Sequence, residues 1–147
     1  MTKYIVIVIG VLFFACKKSS KINRAQLEND VIKKYIEQNN LNATETGSGL
    51  FYVIDNVGTG ANPSSSSTVT VIYKGYLLKG TVFDQSAATG VSLNLANVIE
   101  GWKEGIPYFK LGGGKGKLII PSALGYGDQE KSSIPANSVL VFDIELP

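Results

Sequence analysis

Val98-Ile99-Glu100-Gly101-Trp102 holds the only tryptophan of 147 residues, and the reading of this stretch decides the fold of what surrounds it. Counted from Val98, apolar side chains recur at Trp102, Ile106 and Phe109, a step that draws one face of a helix. Gly101, Gly105 and Pro107 keep that helix short, because glycine weakens a helix interior and proline removes a donor. The spacing therefore predicts a short helix within Asn97 to Phe109.

Outward from it the pattern changes to strands. Leu50 to Ile54, Thr68 to Tyr76 running on into Leu77 and Leu78, Val91 to Leu95, Lys115 to Ile120 and Ser138 to Leu146 are alternating or β-branched, which suits a half-buried pleat. Thr81 to Asp84 reads as a short strand or bulge, and Gly58 to Ser67, Gly112 to Gly114 and Pro121 to Pro135 as loops. Antiparallel strands around one short helix predict an α+β domain with the helix against one sheet face.

The first half is built differently. Asn23 to Asn40 lacks Gly and Pro and carries Leu27, Val31 and Tyr35 at four-residue steps, with Ile32 and Ile36 alongside; this predicts an amphipathic helix. Asn23 is placed to cap it, Gln26 stands at the capping-box position, and Ile22 and Leu27 are placed for a hydrophobic staple. Such a helix is marginal alone in water, so it packs on its own domain or on another chain. Leu41 to Gly49 reads as a polar linker.

Ahead of the helix, Lys3 is followed by an apolar run from Tyr4 to Ala15 that ends at Cys16-Lys17-Lys18. A spanning helix needs about 20 apolar residues, so the run is read as a secretory signal. Phe13-Phe14-Ala15-Cys16 resembles the lipobox of a bacterial lipoprotein, with Phe13 where leucine is usual. The resemblance implies cleavage after Ala15 and acylation of Cys16, which anchors the chain to a lipid membrane. An uncleaved short anchor, or a plain secretory signal with an incidental cysteine, is the alternative. The expected organisation is signal peptide 1–15, tether 16–22, helix 23–40, linker 41–49 and a catalytic or binding domain 50–147.

Inventory excludes much chemistry. With no histidine and Cys16 as the single cysteine, Ser-His-Asp and Cys-His mechanisms and nearly every zinc site are ruled out, as is a disulfide within one chain. The net charge is +2. From Leu50 onward seven lysines face eight acids, which leaves no basic face for nucleic acid. Gly112-Gly113-Gly114-Lys115-Gly116 lacks the spacing of a phosphate loop and reads as a turn. No cofactor and no metal is expected.

From Leu50 to Leu146 the chain resembles the FKBP-type peptidyl-prolyl cis-trans isomerases. The motifs arrive in order: Val71-Ile72-Tyr73-Lys74-Gly75-Tyr76, Phe83-Asp84, Val98-Ile99-Glu100-Gly101-Trp102, Glu104-Gly105, Pro121 with Ala123-Leu124-Gly125-Tyr126-Gly127, Ile134-Pro135 and Leu140 to Leu146. The resemblance implies an antiparallel half-barrel of about five strands wrapped on the short helix, with a pocket between them. It places the catalytic lining on Tyr73, Phe83, Asp84, Trp102, Tyr126 and Phe142. Val98, Ile99, Ile134 and Val91 bind substrate, Val91 where the family often has phenylalanine. The Ile99 N–H and Tyr126 hydroxyl are implied donors to substrate carbonyls. Asp84 either orients Tyr73 or polarises the carbonyl environment; both stay open.

The residues suit the chemistry without the family. An Xaa-Pro bond rotates over a barrier of about 18–20 kcal/mol because twisting costs amide resonance, and nothing need be broken or protonated outright. A pocket that fits the twisted imide better than the planar one is enough. Against this, an aromatic residue on a strand is usually core, an aspartate after an aromatic is usually a turn residue, and Glu100 and Glu104 read as a solvated helix face. The expectation is an isomerase of exported, proline-containing polypeptides, a monomer anchored in the cell envelope and facing the periplasm, with macrolides as a second ligand class. The alternative is a weakly active or non-catalytic proline-binding chaperone or scaffold.

Overall fold

The alternating segments pair into one antiparallel sheet. The computed structural model describes residues 23–147, so the expected signal peptide, tether and Cys16 lie outside the described residues. The strands are β1 (Thr44–Glu45), β2 (Phe51–Asn56), β3 (Thr68–Leu77), β4 (Val82–Gln85), β5 (Val91–Asn94), β6 (Gly114–Ile120) and β7 (Leu140–Leu146). Their order is β1-β2-β6-β7-β3-β4, and β5 pairs with β3. β3 serves three partners: Thr68–Val71 pairs with β5, Lys74–Tyr76 with β4, and Ile72–Leu77 with β7. The α+β architecture is as expected, with seven strands rather than about five. One of the added strands comes from the presumed linker, where Thr44 and Glu45 pair with Tyr52 and Phe51.

The short helix, α2, covers Glu100–Gly105. It is flanked by 3-10 turns at Leu95–Asn97 and Ile106–Tyr108, the second with Pro107 in its first turn. Gly101 and Gly105 let α2 lie flush on β6. A Cβ at Gly101 would come within 2.5 Å of Ile120, and one at Gly105 within 2.6 Å of Leu118. Trp102, one residue along, is thereby pressed into the concave side of the sheet, where it packs with Val71, Leu95, Ile106, Phe109, Leu118, Leu140, Phe142 and Ile144.

A second, smaller core lies on the other face. The N-terminal helix α1 (Arg24–Gln38), capped by the Asn23 side chain accepting from the Ala25 N–H at 3.2 Å, brings Ile32 against Phe51, Ile119, Val139 and Val141. β6 and β7 are therefore covered on both faces, which is why Leu118 to Ile120 and Leu140 to Phe142 are buried without alternation.

α1 is rotated from the expected stripe. Leu27 and Val31 are 51% and 42% exposed, while Ile32 is fully buried and Glu28 only 8% exposed. The cause lies far along the chain, where Ser122 supplies two donors that make burial of the Glu28 carboxylate tolerable. Among the described residues no helix is long and apolar enough to cross a membrane.

Candidate active site

Four aromatic rings from four elements meet at α2. Trp102 on α2 is 4% exposed, and its indole meets Tyr73 of β3 at 5.1 Å and 84° and Phe142 of β7 at 5.2 Å and 81°. Phe83 of β4 meets Phe142 at 5.5 Å and 84°. Edge-to-face contacts of this kind are favourable because the positive rim of one ring meets the negative face of the next. The register explains the cluster: Phe142 and Asp84 both pair with Gly75 across neighbouring strands. A side chain at Gly75 would strike the Phe83 and Phe142 rings.

This cage forms the base of an open cleft of about 610 Å³. Its lining brings together nine of the ten expected pocket residues: Tyr73, Phe83, Asp84, Val98, Ile99, Trp102, Tyr126, Ile134 and Phe142. Val91 is not among them. It pairs with Val71 at the start of β5 and is 36% exposed, whereas Leu93, two residues on and on the same side of the strand, makes the wall. A step of two residues along a strand, about 6.6 Å, carries Val91 past the rim.

Asn97, in the short loop between Leu95 and Val98, and Lys131, Ser132 and Ser133, in the short polar segment Asp128 to Ser133, complete the lining. The last three form a tight hairpin tip. The Lys131 N–H donates to the Ile134 carbonyl at 3.0 Å, the Ile134 N–H returns a bond at 2.6 Å, and Ser132 sits at φ 44°. The tip supplies the one lining cation, Lys131; the one lining anion is Asp84.

Asp84 has defined partners. Its Oδ2 accepts from the Tyr73 hydroxyl at 2.7 Å, and its Oδ1 accepts from the Gln85 N–H at 2.9 Å. Burial, then the Asp84 hydrogen bond and charge, push the Tyr73 hydroxyl up to about 12. It therefore stays protonated, and donating to Asp84, throughout the physiological range.

Two residues of the cleft lining, Trp102 and Ile99, each carry a donor with no acceptor among the described residues. The Trp102 indole N–H is buried and has no hydrogen-bond partner among the described residues. Ile99 is the residue before α2; its carbonyl accepts from the Trp102 and Lys103 N–H groups at 2.9 and 3.2 Å, while its own N–H donates to none of the described residues. Of the two glutamates of α2, Glu100 is exposed as its spacing suggested, whereas Glu104 is held by partners from another segment. Glu100 pairs with Lys103 at 2.6 Å, and Glu104 accepts from the Thr46 hydroxyl at 2.7 Å and from the Ser48 hydroxyl at 2.7 and 2.8 Å.

Comparison with known proteins gives one answer. A family model described as FKBP-type peptidyl-prolyl cis-trans isomerase matches residues 60–147. The FKBP-type peptidyl-prolyl cis-trans isomerase FkpA of Buchnera aphidicola subsp. Schizaphis graminum is 48% identical over 118 residues, which cover 78% of this chain and 46% of that protein. The crystal structure of FkpA from Escherichia coli superposes with a TM-score of 0.71 at 41% identity, covering 82% of this chain and 58% of that one. A peptidyl-prolyl cis-trans isomerase from Pseudomonas syringae pv. tomato str. DC3000 gives 0.70 at 29% identity, covering 83% and 92%. The chain spans 42% to 52% of the length of the FkpA proteins it matches. The family match takes in the whole aromatic cage, and on that ground the chain belongs to the FKBP-type peptidyl-prolyl cis-trans isomerases.

Proposed function

We propose that this chain catalyses rotation about Xaa-Pro bonds in exported polypeptides. The observation that carries the reading is the cage of Tyr73, Phe83, Trp102 and Phe142 at the base of the cleft, on a chain of the isomerase family. The uncatalysed rotation takes tens to hundreds of seconds, and an accelerating site needs only to hold the twisted imide better than the planar one. The prolyl ring rests on the Trp102 indole, with Tyr73, Phe83 and Phe142 at its sides. These walls exclude the water that stabilises the polar, planar amide. The unpaired Ile99 N–H donates to a substrate carbonyl, the Tyr126 hydroxyl is a second donor, and Asp84 holds the Tyr73 ring in place. Val98, Ile134 and Leu93 bound the residue before proline.

The test is a protease-coupled assay of the full chain on an Ala-Leu-Pro-Phe-type peptide. Acceleration over the uncatalysed rate is expected; none, with an intact fold, removes the enzyme reading. The aliphatic wall at Leu93 and the polar tip at Lys131–Ser133 favour a second reading, a proline-binding chaperone with slow turnover. Binding of the peptide without acceleration would select it. A macrolide would compete for the same cage, and peptide displacement by such a ligand checks this.

The site at Cys16 belongs to the same proposal. The charged start, apolar middle and Ala15-Cys16 junction of the first 16 residues support acylation of Cys16 and an anchor in the cell envelope facing the periplasm. Palmitate labelling should mark the chain and be lost in Cys16→Ser; an unlabelled wild type refutes the anchor. Docking of Ile32 on its own sheet supports a monomer, which sedimentation of the detergent-solubilised chain checks.

A further inference from the structure

Ser122 follows β6 and opens the 3-10 turn Ser122–Leu124, and every hydrogen-bonding group it has is engaged. Its N–H donates to Glu28 Oε2 at 2.7 Å and its hydroxyl to Glu28 Oε1 at 2.6 Å. Its carbonyl accepts from the Gly125 N–H at 3.0 Å and the Gly127 N–H at 2.8 Å. Those two glycines bracket Tyr126, which lines the cleft. The Gly127 carbonyl in turn accepts from the Asn137 N–H at 2.7 Å, closing the far side of the loop.

Packing alone does not account for Glu28. It is 8% exposed and Ser122 is 3% exposed, and burying a carboxylate is costly unless hydrogen bonds replace its water. One turn further along α1, Ile32 docks the helix with no such cost. What the carboxylate adds is direction: two short bonds to one residue fix both the orientation and the distance of Ser122. The same N-terminal stretch also reaches the pocket floor, where Thr46 and Ser48 hold Glu104 of α2.

We propose that Glu28 is a positioning residue for the isomerase pocket, acting through Ser122 to hold the loop that presents Tyr126. α1 is then part of the frame of the active site, although it lies outside residues 60–147 that the family model matches. The inference rests on the isomerase reading of the cleft, and its test separates the two.

Two readouts on the full chain decide it: kcat/KM on an Xaa-Pro peptide, and amide hydrogen exchange at Gly125 and Gly127. Glu28→Ala should lower kcat/KM about fivefold, within the range expected of neighbours in one network, and should speed exchange at both glycines. Glu28→Gln, which keeps an acceptor, should recover most of the rate. Ser122→Ala, which keeps the backbone bond, should fall between. In a Tyr126→Phe background the Glu28→Ala loss should shrink below about twofold, because coupled residues are not additive. Ile32→Val, a packing change on the same helix, should lower the unfolding midpoint and leave kcat/KM unchanged, which a purely structural role for Glu28 would mimic. Unchanged kcat/KM in folded Glu28→Ala, or a loss undiminished by Tyr126→Phe, overturns the proposal. If Glu28→Ala does not fold, Glu28→Gln and Ser122→Ala carry the same comparison. If the wild type is inactive, the isomerase reading fails, and unaltered glycine exchange in Glu28→Ala would then remove the link to the loop as well.

Discussion

The two faces of the sheet draw alternate residues from the same strands and use them in opposite ways. From β6 and β7, Leu118, Ile120, Phe142 and Ile144 turn towards α2, while Ile119 and Val141 turn towards α1. On the α1 side the polar groups are matched. Glu28 meets Ser122, the Tyr76 hydroxyl donates to Asp143 at 3.0 Å and accepts from Lys117 at 3.2 Å, and Lys117 pairs with Asp143. Burial, the Asp143 charge and Tyr35 raise the Tyr76 hydroxyl well above its ordinary value, so it stays a donor. On the α2 side the Trp102 N–H has no partner among the described residues. An unsatisfied buried donor costs about 1–3 kcal/mol, so this face gives up stability that the other keeps. The α2 face combines the larger core with an open cleft, and the α1 face a smaller core with matched polar groups.

That contrast is open to attack in order of size. Trp102→Ala should abolish measurable acceleration and lower the unfolding free energy by about 3–5 kcal/mol, read from the coupled assay and urea unfolding. Ile119→Ala, on the opposite face, should cost about 2–5 kcal/mol of stability with kcat/KM of the folded fraction unchanged; a parallel loss of rate would erase the distinction. Asp84→Ala should lower kcat/KM about tenfold, the scale of one charge-assisted hydrogen bond, and Tyr73→Phe less. Wild-type rates in both would remove the pair from the mechanism.

The same pair carries a pH signature. The Tyr73 hydroxyl is raised in the folded state, so its contribution to stability is complete below the ordinary value near 10 and is lost as pH rises through about 12. Absorbance titration of the phenols should show this late group, and Asp84→Ala should move it down. The smallest effect is expected at the exposed Lys33–Glu45 pair, 3.2 Å apart. There Lys33→Ala should change stability by less than about 1 kcal/mol and the rate not at all.

Legibility in the sequence divides along the same line. The strands of the concave face announce themselves where Val69 and Val71 alternate with Thr68 and Thr70, and the cage residues lie within local motifs. Val91 is assigned to the pocket by family resemblance, and a matching motif position gives no distance to a rim; the lining holds Leu93 instead. The α1 side was harder to read. A glutamate on an apolar stripe looks like its polar border until the partner is known, and Ser122 is 94 residues away in the chain. β1 is two residues long, too short for any period, and exists because β2 offers it an edge. Glu104 looked solvated because its partners, Thr46 and Ser48, sit in a stretch with no pattern of its own.

The bond between Glu28 and Ser122 also sets an order of events during synthesis. The carboxylate leaves the ribosome 94 residues ahead of its donors, about 5–20 s at ~5–20 residues per second. For most of that interval α1 has neither β6 nor β7 to lie on, and Ile32 stays uncovered beside Leu27 and Val31. The earliest of the described helices is thus among the last to be seated, and the nascent chain presents a sticky amphipathic segment until β6 and β7 emerge.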